Sequence, residues 1–184
     1  MINIFIDTSA FYASFDPKDA NYHIALDFFQ EIRENTLYRL YAANLVFYET
    51  ITLVRARIGI TESIAFGQNL FQSKGIRNIF VDRELEAKAL NIFNSHKDKD
   101  YSFVDCASFS VMKELDITKA FSFDSHFKQF GFEMLQQLLL PFASAANNSR
   151  PFAPERCYCL LRFRNNCWAG KQHCCCFVLS SVCA

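Results

Sequence analysis

Four carboxylates in this chain stand at positions where their surroundings suggest chemistry. Asp7 ends the run Ile2, Ile4, Ile6 and is followed by Thr8 and Ser9. Glu49 lies among Tyr48, Ile51 and Leu53, in a segment whose other nearby charges are Arg55 and Arg57. Asp105 interrupts the segment SFVDCASFSVMKEL, and Asp124 closes the run from Ile117 to Phe123, just before Ser125-His126-Phe127. Four convergent carboxylates repel one another and resist burial, so such a pocket needs protons or cations. Hard oxygen ligands suit Mg²⁺ or Mn²⁺. An ion of that kind polarises a phosphoryl oxygen and lowers the pKa of bound water, which is the chemistry of phosphodiester hydrolysis.

Each acid also has an ordinary structural role open to it. Asp7 can cap or turn the chain, and Thr8 or Ser9 can begin a helix. A helical glutamate is commonly a solvated one, although the apolar neighbours of Glu49 argue against a fully solvated face. Asp105 stands three residues after Ser102, the spacing of a capping box, and Asp124 can cap the short segment that follows it. What lifts all four above these readings is the set of elements that would carry them.

Those elements alternate. Ile2, Ile4 and Ile6 suit a short buried strand, with Asp7 at its end. After Pro17, the spacing of Tyr22, Ala25, Leu26, Phe29 and Ile32 predicts an amphipathic helix over 19–34. A strand over 37–42 follows. Asn44 is the expected N-cap of a helix through Leu45, Tyr48, Thr52 and Arg55, which Gly59 closes as its C′ residue. Thr61 and Gly75 bracket the next expected helix, the apolar run 79–81 reads as a third strand, and Asp82 caps a helix bearing Leu85, Ala89, Ile92 and Phe93. Residues 102–115 read as a helix, 117–123 as a strand, and 125–136 as a short helix and strand. This order implies an α/β fold with a mainly parallel sheet, whose ligands sit beyond the carboxyl ends of the strands. Asp7 and Asp124 occupy such ends, while Glu49 and Asp105 lie on helices expected beside them.

Composition divides the chain in two. Of eight cysteines only Cys106 falls in residues 1–141, and the other seven crowd the last 43 residues. Residues 1–141 carry 14 basic and 18 acidic groups, and residues 142–184 carry 5 and 1, so the overall neutrality is a cancellation. The stretch ASAANNSRPFAP reads as a linker, and we place the boundary near Pro141, with one domain over 1–140 and a Cys-rich tail over 141–184. The tail lacks the paired spacing of common zinc modules and reads as a disordered or non-native extension. The absence of a long apolar run and of a basic, apolar leader predicts a soluble cytoplasmic protein with no membrane partner. With no excess of basic residues, a nucleic-acid partner would have to be steered by local charge.

Asp7-Thr8-Ser9 after the first strand, Glu49 in an early helix, SFVDCASFSVMKEL and AFSFDSHFKQFGF together resemble the PIN-domain family, above all its VapC-like toxin branch, over residues 1–136. The resemblance implies a PIN-like α/β/α sandwich and a divalent-metal endoribonuclease acting on RNA. It also implies inhibition by an antitoxin protein, and assembly as a homodimer. Carried over residue by residue, it makes Asp7 and Asp105 direct metal ligands, with Glu49 and Asp124 completing the pocket directly or through water. Ser9 or Thr8 would orient a ligand or the attacking water, Arg55 and Arg57 would meet phosphates, and His126 would contact RNA. Two other functions compete. One is a catalytically silent PIN-like module that binds RNA or protein. The other is a haloacid-dehalogenase-like phosphatase, which wants a second aspartate two residues beyond the first, where this chain has Ser9.

Overall fold

The computed structural model describes residues 1–34 and 37–135. The expected boundary near Pro141 and the Cys-rich segment lie outside these residues. The chain runs β1 (Ile2–Ile6), α1 (Thr8–Phe15), α2 (Tyr22–Glu34), β2 (Tyr38–Ala43), α3 (Asn44–Arg57), α4 (Ile60–Gln72), β3 (Ile76–Ile79), α5 (Arg83–Ser95), α6 (Phe103–Glu114), β4 (Lys119–Phe121), α7 (Ser125–Phe130) and β5 (Glu133–Met134).

The five strands form one sheet in the order β3-β2-β1-β4-β5. Every pairing is parallel. In β1 the consecutive residues Ile4, Phe5 and Ile6 are all buried, as are Leu40, Tyr41, Ala42 and Ala43 in β2. Successive strand residues point to opposite faces, so both faces of the central strands are covered, as a parallel sheet requires. The core is dense in aromatic rings. Phe28 stacks on Phe121 with centroids 3.5 Å apart, and Phe109 stacks on Phe130 at 4.2 Å.

Strand order fixes where a ligand can bind. From β1 the chain moves outward through β2 to β3, then returns to the other side of β1 to place β4 and β5. The direction of winding reverses between β1 and β4, and a crevice opens at the carboxyl ends of strands where this happens. The register Ile6↔Phe121 puts Asp7 and Ser122 side by side just beyond that edge, and the Asp7 amide donates to the Phe121 carbonyl at 3.1 Å.

Several expected boundaries shift. A helix, α1, begins directly at Thr8 and has Ala10, Phe11, Tyr12, Ala13 and Ser14 all buried. The helix expected over 19–34 starts at Tyr22, with Tyr22, Ala25, Phe28, Phe29 and Ile32 on its buried side. Asn44 is not an N-cap. It is the first residue of α3, Ala43 stands at the N-cap position without a side-chain cap, and the Asn44 Oδ1 accepts a 2.9 Å bond from the Val81 amide. Gly59 follows the C-cap Ile58 and itself precedes α4, so Thr61 lies inside that helix rather than capping it. Its φ of +156° is a value that side-chain-bearing residues rarely adopt. The third strand is 76–79 instead of 79–81, because Ile76 pairs with Leu40 and the ladder ends at Ile79. Asp82 and Ser102 cap α5 and α6 as expected.

Candidate active site

Asp7 is the N-cap of α1 as well as the end of β1. Its Oδ2 accepts three bonds, from the Ser9 amide at 3.1 Å, the Ser9 hydroxyl at 2.6 Å and the Ser122 hydroxyl at 2.9 Å. All three converge on one oxygen, Oδ2. Because each hydroxyl has a single proton, the 3.2 Å approach of Ser9 Oγ to Ser122 Oγ is a contact within this cluster rather than a further bond. The two hydroxyls also accept, Ser9 from the Phe123 amide and Ser122 from the Asp124 amide, each at 2.9 Å. The serines therefore tie the start of α1 to the loop that carries Asp124.

Asp105 forms the full capping box with Ser102. Its Oδ2 accepts from the Ser102 amide at 2.8 Å while its own amide donates to Ser102 Oγ at 3.0 Å. That reciprocal pair fixes χ angles of a buried carboxylate that would otherwise be free to rotate. Asp124 caps α7, accepting from the His126 amide at 2.9 Å, and Gly131 ends that short helix in the left-handed region. The His126 ring turns back so that Nδ1 lies 3.2 Å from Asp105 Oδ2 and 3.3 Å from Asp124 Oδ2. One ligand atom from each of Asp105, Asp124 and His126 falls within 4.8 Å of the others.

Glu49 reaches the pocket from the second turn of α3, and α3 packs on α6. It is partly buried, and its Oε2 accepts a 2.5 Å bond from the Thr8 hydroxyl. Burial raises its pKa, and the charges of Asp105 and Asp124 raise it further. Burial likewise pushes Asp7 up to about 6, against the lowering effect of its serine bonds and with a further push from the charge of Asp105. Those mutual repulsions show that all four acids share one electrostatic neighbourhood, although Asp7 and Glu49 lie outside the tight group of three. Among the described residues, no Lys or Arg forms an ion pair with any of the four.

The donor set fits a divalent cation: four carboxylates in one neighbourhood, two of which, Asp7 and Glu49, hold protons more tightly than usual, a histidine as the one nitrogen donor, and, among the described residues, no Lys or Arg paired with them. A cation would oppose the upward shift of Asp7 and Glu49.

Sequence reasoning placed Asp7, Glu49, Asp105 and Asp124 in one pocket, and the fold brings them there. It gave His126 the role of an RNA contact and did not foresee its ring lying between two acids. The signal was present in the spacing, because an N-capping Asp two residues ahead of a His places that ring on the first turn of the same helix. Ser122 was missed altogether. Arg57 lies over the Tyr12 ring at 5.6 Å, and the Tyr12 hydroxyl donates to Asp16 at 2.6 Å, so this arginine belongs to a local cluster at the end of α3. Arg55 is exposed.

Comparison with known proteins agrees with this geometry. The PIN domain family profile matches residues 4–133. The chain belongs to the PIN-domain family, within its VapC-like branch. Within that branch it is 33% identical over 137 residues to the 23S rRNA-specific endonuclease VapC20 of Mycobacterium tuberculosis, covering 70% of this chain and 95% of the relative. It is 31% identical over 124 residues to a VapC ribonuclease of Archaeoglobus fulgidus, covering 66% of this chain and 77% of that protein. The crystal structure of M. tuberculosis VapC20, described as a sarcin-ricin loop cleaving toxin, superposes with a TM-score of 0.63 at 32% identity, over 70% of this chain and 95% of that one. FitAcB from Neisseria gonorrhoeae shares the fold, with a TM-score of 0.52 at 15% identity over 71% of this chain and 95% of that one. Among the described residues no helix is long and apolar enough to cross a membrane.

Proposed function

We propose that this chain is an endoribonuclease that hydrolyses RNA phosphodiester bonds with Mg²⁺ or Mn²⁺, and that it is the toxin of a toxin–antitoxin pair. The observation that carries the reading is the meeting of Asp105, Asp124 and His126 within 4.8 Å, beside Asp7 and Glu49, with no Lys or Arg of the described residues paired to them. Membership of the VapC-like branch supports RNA as the substrate.

In this reading Asp7 and Asp105 hold the ion directly, and Glu49 and Asp124 complete its surroundings directly or through water. The ion, when bound, supplies Lewis-acid polarisation of the phosphate and a more acidic water. The chain supplies the rest. Ser9 and Ser122 immobilise the Asp7 carboxylate by donating to Oδ2. His126, between two carboxylates, fixes the separation of Asp105 and Asp124. Thr8 anchors one oxygen of Glu49, and the other is free to take a proton from the attacking water. A carboxylate held within reach of that water is placed for general-base work. Water oxygen bonds to phosphorus as its proton passes to Glu49, the bond to the leaving ribose oxygen breaks, and that oxygen takes a proton from solvent.

An acid-lined pocket attracts arginine and lysine as well as metal, so an antitoxin that inserts a basic side chain among the four acids would inhibit the enzyme. Exposed apolar side chains such as Tyr48, Ile64 and Phe71 suit a homodimer or antitoxin contact. The test is incubation of the purified full chain with large-subunit ribosomal RNA and other structured RNAs, with Mg²⁺, Mn²⁺ or EDTA. Cleavage at discrete positions, abolished by EDTA and by Asp7→Asn, is expected. Metal-independent cleavage would remove the site from the reaction. Co-expression with the product of a small reading frame immediately upstream tests the toxin reading: rescue of growth and co-purification are expected, and harmless expression alone would leave an RNA-processing nuclease.

A further inference from the structure

Beside the acid pocket lies a cavity of about 320 Å³, lined by Phe93, Asn94, His96, Lys97, Lys99 and Tyr101. It is formed by the end of α5 and the connection into α6, the segment HKDKDYS at 96–102. Lysine and aspartate alternate there, and the fold sorts them. Lys97 and Lys99 line the cavity, whereas Asp98 and Asp100 do not. Asp98 reaches Lys99 only at 3.7 Å and from an exposed position, where a pair of this kind holds a lysine weakly.

Two features join this cavity to the acid pocket. Tyr101 lies in its wall and packs edge-on against His126, with centroids 5.2 Å apart. The next residue, Ser102, caps α6 and holds Asp105. An apolar platform stands at the cavity as well. Phe93 is 44% exposed and meets Phe103, 39% exposed, at 6.4 Å in an edge-to-face arrangement. Lysines beside exposed aromatic rings are the combination that binds single-stranded nucleic acid, the cations tracking phosphates and the rings stacking on bases.

From this continuity we infer that the 93–103 cavity is an RNA subsite: Lys97 and Lys99 hold a backbone phosphate next to the scissile one, and Phe93 stacks on an unpaired base. The inference rests on the ribonuclease reading and adds to it the part of the surface that steers RNA. It answers a requirement set by composition. The domain preceding Pro141 carries more acidic than basic groups, and the acid pocket itself repels phosphate, so cations must stand close by to bring the backbone in. The subsite also implies that unpaired RNA is preferred over duplex at this position, because a paired base has no free face for Phe93.

The test measures a fluorescent RNA hairpin with an unpaired loop in two ways: binding by anisotropy in EDTA, and cleavage kinetics in Mg²⁺. The proteins are the full chain, Lys97→Ala/Lys99→Ala, Lys97→Arg/Lys99→Arg, Phe93→Ala and Phe93→Trp. The double alanine variant is expected to weaken binding and raise KM about tenfold with kcat unchanged. It should also flatten the salt dependence of log affinity by about 0.7, the value for one phosphate contact on a single strand. The arginine pair should restore both, and Phe93→Trp should bind while Phe93→Ala does not. Thermal melts of all variants matching the parent keep a folding defect out of the result. If the parent cleaves RNA but the double alanine variant keeps its KM and salt slope, the subsite is overturned and the ribonuclease reading stands. If the parent neither binds nor cleaves any RNA, both fall.

Discussion

Asp7 carries the sharpest prediction at the level of a single residue. Its carboxyl, raised to about 6 in the folded protein from 3.8, binds its proton more tightly folded than unfolded. The metal-free fold is therefore favoured below about pH 4, and that advantage is lost as the pH rises toward and through 6. A gap of about two units corresponds to roughly 3 kcal/mol of strain near neutrality. Asp7→Asn should accordingly stabilise the protein in EDTA at pH 7.5 by up to that amount, with the difference vanishing near pH 4, as read by urea denaturation at both values. The same variant should lose cleavage by about 100-fold or more. Gain of stability together with loss of activity marks a functional acid, since Asn keeps the capping oxygen and would leave a mere cap nearly unchanged. For His126→Ala we expect about 10- to 100-fold weaker Mn²⁺ binding by calorimetry, because Asp105 and Asp124 lose the ring between them; unchanged affinity would make that ring irrelevant to the ion.

Among the elements, those whose signals are local were readable in advance. The capping box of α6 is visible as Ser102 and Asp105 three apart, and the strand before Asp7 as three alternating isoleucines. Asp82 and Asp124 likewise announce the helices they cap. What stayed hidden depends on tertiary contact. Helix α1 is buried nearly all round, so it has no polar side and no periodicity to detect. The third strand was misplaced because its position is set by the ladder with β2, while Phe80, apolar but 70% exposed, drew the apolar run two residues too far. Ser122 could be found only by knowing that β4 lies beside β1. That contact gives an element-scale prediction. Ser122→Ala removes a donor to buried Asp7 and an acceptor from the Asp124 amide, and should cost about 1–3 kcal/mol by chemical denaturation. Ser102→Ala, which undoes one half of the α6 box, should cost about 1 kcal/mol and lower the affinity for Mn²⁺ as Asp105 gains rotamers. A loss of stability without any change in metal affinity would confine the box to structure.

For the molecule as a whole, the PIN domain match ends at residue 133, and the elements that build the acid pocket all precede that point. We expect a chain ended after Pro141 to fold and cleave RNA like the full one, as checked by calorimetric melting and by the rate of hairpin cleavage. An insoluble or inactive truncation would mean that residues beyond it contribute packing or chemistry. The tie between Ser122 and Asp7 spans 115 residues of sequence, and this separation bears on how the enzyme comes into being. Contacts between distant parts of a chain are slow to form, because the loop entropy must be lost before the contact can compensate for it. Helices such as α5 and α6 can close on each other early, whereas Asp7 meets Ser122 only when β4 docks against β1. During refolding from urea, helical signal should therefore return ahead of the ability to cut RNA. A newly made chain would hold every acid the reaction needs and still be idle until its central strands have zipped together.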